Sequence, residues 1–154
     1  MPFTPPTTYA SQGSTGYQAQ FFIGTVASPI SYTAVKETKS IKPNFITVPE
    51  VETSHLLSPN NTEEMLPGMI KPGTIEISGN WLGDSSQTAL SDLAQAGTVA
   101  AWKITAPVQG LTKTFTATGS GFVTKFDVGP FEKNKPQEFT ATVQMTGSYV
   151  TSVA

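Results

Sequence analysis

The side chains able to do chemistry are few, and they gather in one proline-rich stretch. His55 is the single histidine of the chain; Glu50 and Glu52 precede it closely and Glu63-Glu64 follow. Paired carboxylates suit acid/base work when a pocket pushes their pKa values apart, but Glu63 and Glu64 are chain neighbours outside any expected pocket. Glu50, Glu52 and His55 are the nearest approach to metal-ligand spacing. In an irregular segment, three such residues describe a solvated acidic edge better than a closed metal site. His55 has no nucleophile to serve, because the elbow pattern G-x-S-x-G is missing from the chain. Gly119-Ser120-Gly121 lacks the lysine and spacing of a phosphate loop and reads as a β-bulge. Asn60-Asn61-Thr62 matches a glycosylation acceptor, yet the start Met1-Pro2-Phe3-Thr4-Pro5-Pro6 is not read as a signal peptide, so the triplet is expected to be a turn. No catalytic, cofactor-binding or metal-binding set is expected. The chain reads as a non-enzyme.

Composition narrows the partners. One domain is expected of 154 residues. There is no cysteine, hence no disulfide framework and no thiolate metal site. Charged residues make up 13% of the chain, against about 25% in an average domain. Apart from His55, every basic residue is a lysine. Arginine makes most bidentate contacts to phosphate and guanine, and specific nucleic-acid binding is not expected without it. A net charge of −2 supplies no basic footprint for nonspecific binding either. No apolar run approaches the ~20 residues of a membrane span. A surface rich in threonine, serine and glutamine and poor in charge suits burial against other proteins.

What must position these residues is a β framework. Residues 1–20 carry proline, threonine, serine and glycine without an apolar period and read as an extended arm, either a disordered tail or a segment crossing to a neighbouring subunit. The domain proper is expected over 21–154. Phe21–Val26 is the first strand, stopped by Ser28-Pro29. Tyr32–Ile41 and Asn44–Val51 follow, with Pro49 marking the second as an edge or shortening it. Glu52–Pro72 reads as a long central loop, a length that is usually functional or disordered. Ile75, Ile77, Gly79 and Trp81 then alternate with Glu76, Ser78 and Asn80.

A helix is expected over about 84–96. Asp84 is its N-cap, Gln87 the capping-box partner, Ala89, Leu90, Leu93 and Ala94 its apolar stripe, and Gly97 its C′ glycine. Val99–Ala106 resumes β, with Trp102 and Ile104 on one side. Thr112–Val128 is one bent strand or two, with the bend at Gly119-Ser120-Gly121. In the last strand Phe139, Ala141, Val143, Met145, Gly147 and Tyr149 alternate with Thr140, Thr142, Gln144, Thr146 and Ser148. The fold class is mainly β: an antiparallel sandwich or barrel with one lateral α-helix, a long central loop and an extended N-terminal arm.

Three segments in this order resemble the major tail tube proteins of siphophages, a family related in fold to the type VI secretion tube protein. They are the acidic "PG" loop running into an alternating strand (Glu63 to Trp81), the capped helix Gln87–Ala96 followed by Trp102-Lys103-Ile104, and the C-terminal pair Gly119–Val128 and Glu138–Tyr149. Together they cover roughly residues 63–149. The resemblance implies hexameric rings stacked into a hollow tube in a virion tail, built in the host cytoplasm. DNA would pass without specific binding, and a tape-measure protein, a tail terminator and baseplate or tip proteins would be partners. No cofactor and no membrane are implied. Contacts between rings or subunits are expected at Glu50, Glu52, His55, Glu63, Glu64, Met65, Leu66, Met69 and Ile70. Two strand faces are candidates for the bore: Glu76, Ser78 and Asn80, and Thr140, Thr142, Gln144 and Thr146. The alternatives are a tube in a secretion system or a phage-tail-like bacteriocin, and a carbohydrate- or receptor-binding β-sandwich.

Overall fold

The computed structural model describes residues 16, 18–25 and 28–154. Most of the expected N-terminal arm, together with Val26, lies outside the described residues. Strands β1 (Gln20–Gly24), β2 (Tyr32–Ala34), β3 (Thr38–Pro43), β4 (Ile46–Thr47), β5 (Glu50–Glu52), β6 (Met65–Pro67), β7 (Lys71–Pro72) and β8 (Thr74–Asn80) precede helix α1 (Ser85–Ala96). Strands β9 (Ala100–Val108), β10 (Lys113–Val128) and β11 (Glu138–Val153) follow it.

One antiparallel sheet, ordered β2-β1-β9-β10-β11-β8-β3, carries the fold. Its outermost strands β2 and β3 are joined through only Val35-Lys36-Glu37, so the sheet must curl back on itself. The two long strands allow this. The β10–β11 register shifts between Thr118 and Ser120 and again between Val123 and Lys125, and each shift bends the ladder. The first part of β10 pairs with β9, while the first part of β11 pairs with β8. Phe21, Trp102, Ile104 and Ala117 from one half pack against Ile75, Ile77, Phe139, Ala141 and Val143 from the other. The register does shift at the expected place, but the extra residues are on β11: Thr118 to Ser120 faces Val150 to Thr146, around Gly147 at φ 71°, while β10 pairs with β9 unbroken through Gly121. The glycine at 119 has a packing cause instead: a Cβ there would sit 2.8 Å from the Trp102 ring. The indole lies against this backbone and donates from Nε1 to the Ser120 carbonyl (3.1 Å).

α1 starts and stops where its caps place it. The Asp84 carboxylate accepts from the Ser86 N–H (3.2 Å) and hydroxyl (2.8 Å), and Gly97, at φ 64°, donates its N–H to the Leu93 carbonyl. Those Ser86 bonds, helped by the Lys36 ammonium, hold the Asp84 carboxyl below the ordinary carboxylate range. Gln87 departs from the expected capping box. Fully buried, it accepts from the Leu82 N–H (2.8 Å) and donates to the carbonyls of Lys36 (2.9 Å) and Asn80 (2.8 Å). It ties the helix start to the β2–β3 turn and the end of β8, three chain segments that propensity alone does not bring together.

Other boundaries also shift. Tyr32–Ile41 is two strands, because Lys36-Glu37 form a turn with Glu37 at φ 58°. Asn44–Val51 is likewise split, into β4 and part of β5, and Gln20, placed in the arm, opens β1. The stretch Glu52–Pro72 is no unbroken loop: it contains β6, β7 and the end of β5.

Candidate functional site

Between Pro43 and Thr74 the chain leaves the sheet and returns as a narrow hairpin. Ile46 and Thr47 pair with Pro72 and Lys71; Glu50, Val51 and Glu52 pair with Pro67, Leu66 and Met65. Between and beyond these ladders, Gly68 N–H donates to Pro49 O (2.7 Å) and Thr53 N–H to Glu64 O (2.8 Å). The tip is held by polar side chains. His55 Nδ1 accepts from the Leu57 N–H (3.1 Å), leaving Nε2 3.5 Å from Glu64 Oε2. The Ser58 hydroxyl donates to that same carboxylate (3.0 Å), and Glu64 N–H donates to the Ser54 hydroxyl (2.8 Å). His55 and Glu64 thus fold the tip and approach no nucleophile.

The expected contact residues Glu50, Glu52, His55, Glu63, Glu64, Met65, Leu66, Met69 and Ile70 all lie on this arm. The apolar ones are uncovered: Leu56, which sequence reasoning passed over, is 105% exposed, Leu57 and Met69 86%, while Val143 in the core is 1%. Leu56 and Leu57 were readable only as a pair of leucines inside a proline-rich segment, a signal too short to have a period.

The arm is anchored at its root. Phe45 stacks on Tyr149 (4.7 Å) and meets Phe115 edge-on (6.4 Å). Gln144 Nε2 donates to the carbonyls of Pro72 (3.3 Å) and Gly73 (3.1 Å). Gln144, a candidate bore residue, therefore has its amide committed to the arm. Beside this root, Ile46, Ile70, Pro72, Gly147, Ser148 and Tyr149 line a groove of about 350 Å³.

The two candidate bore faces are one surface. β8 and β11 are neighbours, and the register sets Thr142 beside Glu76, Thr140 beside Ser78 and Gln144 beside Thr74. β10 extends the surface with Lys125 and Asp127, opposite Thr142 and Thr140; β3 extends it with Lys42 and Ser40, opposite Glu76 and Ser78. Thr146 continues it along β11, facing Ser120, and Asn80 closes it, donating to Glu37 Oε2 (3.1 Å). Neighbouring strands of one sheet share a polar face on the side away from the core. Strand order is the missing information: nothing local in either strand announces its neighbour.

Among the described residues no group of three His, Cys, Asp or Glu side chains could hold a metal ion, and no helix is long and apolar enough to cross a membrane. The described residues thus form a curled sheet with one open polar face and an arm of uncovered apolar side chains. The family model for the lambda phage tail tube protein, TTP, matches residues 16–153, and the chain belongs to that family. It is a tube subunit.

Solved structures agree in fold. A chain in the tail of an empty GTA particle, with C6 symmetry, has a TM-score of 0.73 at 12% identity over 90% of this chain and 98% of that one. The anti-feeding prophage tube terminating cap has a TM-score of 0.69 at 15% identity over the whole of both chains (100% each). The SPP1 tail tube has a TM-score of 0.64 at 13% identity over 96% of this chain and 80% of that one. No curated protein matches the chain in sequence.

Proposed function

We propose that this chain is the major tube subunit of a virion tail. Six copies close a ring, rings stack into a hollow cylinder, and DNA leaves the particle through its bore without being specifically bound. The role is structural, without catalysis. The observation that carries the reading is the arm: Leu56, Leu57, Leu66, Met69 and Ile70 stand in solvent on a hairpin whose only ladders are two and three pairs long. Isolated ladders of that length are not stable on their own, and apolar side chains left in water gain free energy when covered, by roughly 25 cal/mol per Å². An adjacent ring supplies the cover. Within a ring, β3 and the Phe122–Val128 part of β10 are strand edges of comparable length, and unpaired edges are natural templates for a further strand.

Assembly would take place in the host cytoplasm, with a tape-measure protein setting length, a terminator at one end and baseplate or tip proteins at the other. The likeness to the anti-feeding prophage cap favours one second reading, a tube subunit in a contractile injection machine of the same fold. A carbohydrate-binding module is disfavoured, because Trp102 is fully buried and Trp81 packs edge-on against Phe126 and Phe139, leaving neither ring free as a sugar platform. Electron microscopy of the purified protein after concentration tests the proposal. Straight hollow filaments with sixfold cross-sections are expected, and a monomer that persists at high concentration contradicts it.

A further inference from the structure

On the polar face shared by β10, β11, β8 and β3, two lysines pair with carboxylates and a third has one opposite it in register. Lys125 Nζ lies 3.3 Å from Asp127 Oδ2. Lys39 Nζ reaches 3.2 Å from Glu138 Oε1, although β8 lies between their strands. Lys42 and Glu76 are cross-strand register partners. Ser40, Ser78, Thr140 and Thr142 fill the positions between them with hydroxyls. The Lys39 and Lys125 pairs are at least half exposed on both sides, and ion pairs that open contribute little to folding. Their arrangement needs another reason.

Building on the reading of the chain as a ring subunit around DNA, we propose that this face is the conduit wall and that Asp127, Glu138 and Glu76 are built-in counter-ions to Lys125, Lys39 and Lys42. A free ammonium gains affinity for a phosphate because binding releases the small ions condensed on DNA. A lysine already neutralised by a fixed carboxylate gains much less, since the phosphate must displace that carboxylate and leave it uncompensated beside a polyanion. Ring symmetry turns each residue into a hoop of copies, so one uncompensated lysine becomes a collar of positive charge. The hydroxyls between the pairs hydrogen-bond with water and carry no charge to hold a passing strand. The wall is slippery because its charges cancel locally.

The test compares tubes of the natural chain with tubes carrying Glu76→Gln, Asp127→Asn and Glu138→Gln together. Each is incubated at low salt with a short linear duplex and, separately, with covalently closed circular DNA, which cannot thread a bore. Natural tubes should retain neither. The triple variant should retain the linear duplex about 10-fold more or better, with retention falling steeply as salt rises, and should exclude the circle. Adding Lys39→Gln, Lys42→Gln and Lys125→Gln should abolish the retention. Linear duplex ignored by the variant, or held already by natural tubes, overturns the counter-ion assignment. Circle bound as well as linear duplex overturns the wall assignment, because the face then lies outside. If the triple variant does not polymerise, Asp127→Asn alone is scored by the same outcomes. Failure of the natural chain to form tubes refutes the underlying ring reading instead.

Discussion

Ile70 and Ile75 are close in the chain and identical in chemistry, yet Ile75 is fully buried while Ile70 is 60% exposed. The same contrast separates Val143 at 1% from Val51 at 48%. Both valines sit in antiparallel ladders, Val143 opposite Ile75 and Val51 opposite Leu66. The difference is whether the chain owns a second layer. β8 and β11 face Trp102, Phe21 and Leu90 across the core; β5 and β6 form a separate pair outside the main sheet. In the proposed tube, an apolar strand whose second layer is missing from its own chain is where another copy would dock.

That contrast can be broken from either side. The largest effect is expected in the sheet: Trp102→Ala empties the centre of the core and should cost about 3–5 kcal/mol in denaturant unfolding, with assembly lost because the subunit itself unfolds. Gln87→Ala comes next. It strips partners from the Lys36 and Asn80 carbonyls and the Leu82 N–H, and about 1–3 kcal/mol is expected from the same measurement. Asp84→Asn is smaller and depends on pH. Asparagine still caps, so the change isolates the charge. Because the folded-state pKa is depressed, the carboxylate's contribution is present above its unfolded pKa of about 3.9 and is lost as pH falls through the lower folded value. Thermal melts should show a constant gap between the two proteins near neutrality that closes below about pH 4. The smallest effect on stability is expected on the arm. Leu56→Ser with Leu57→Ser should leave the monomer's unfolding within about 0.5 kcal/mol, while tube formation at fixed concentration, scored by sedimentation, is lost. A comparable loss of monomer stability would mean that the arm is an ordinary part of the fold.

Much of the sheet was legible because its rules are local. The alternation of Ile75, Ile77 and Gly79, the caps Asp84 and Gly97 and the alternation of β11 from Phe139 to Met145 each follow from a few adjacent residues, and each is found as expected. The bend expected at Gly119-Ser120-Gly121 takes its extra residues from β11 instead, where Gly147 is exposed at φ 71° and ends the alternation. Reading failed where the decisive contact is distant or the signal weak. Glu37 takes a left-handed backbone without being glycine, so nothing local marked the break after β2. Gln87 fits a capping box by spacing, but the carbonyls it satisfies belong to other segments. The arm's ladders are short and carry Pro67 and Pro72, residues that normally argue against a strand. The bore candidates were separable only while strand order was unknown; once β8 lies beside β11 they merge, and β3 and β10 add the lysines and Asp127 that local reading left aside.

The most direct measurement is amide hydrogen exchange over residues 46–72, taken on the dispersed subunit and on polymerised tubes while β8 and β11 serve as an internal reference. The arm should exchange rapidly in the free chain and become strongly protected in the tube, with the reference strands protected in both. Equal protection of the arm in the two states would contradict the idea that a second copy provides its missing layer.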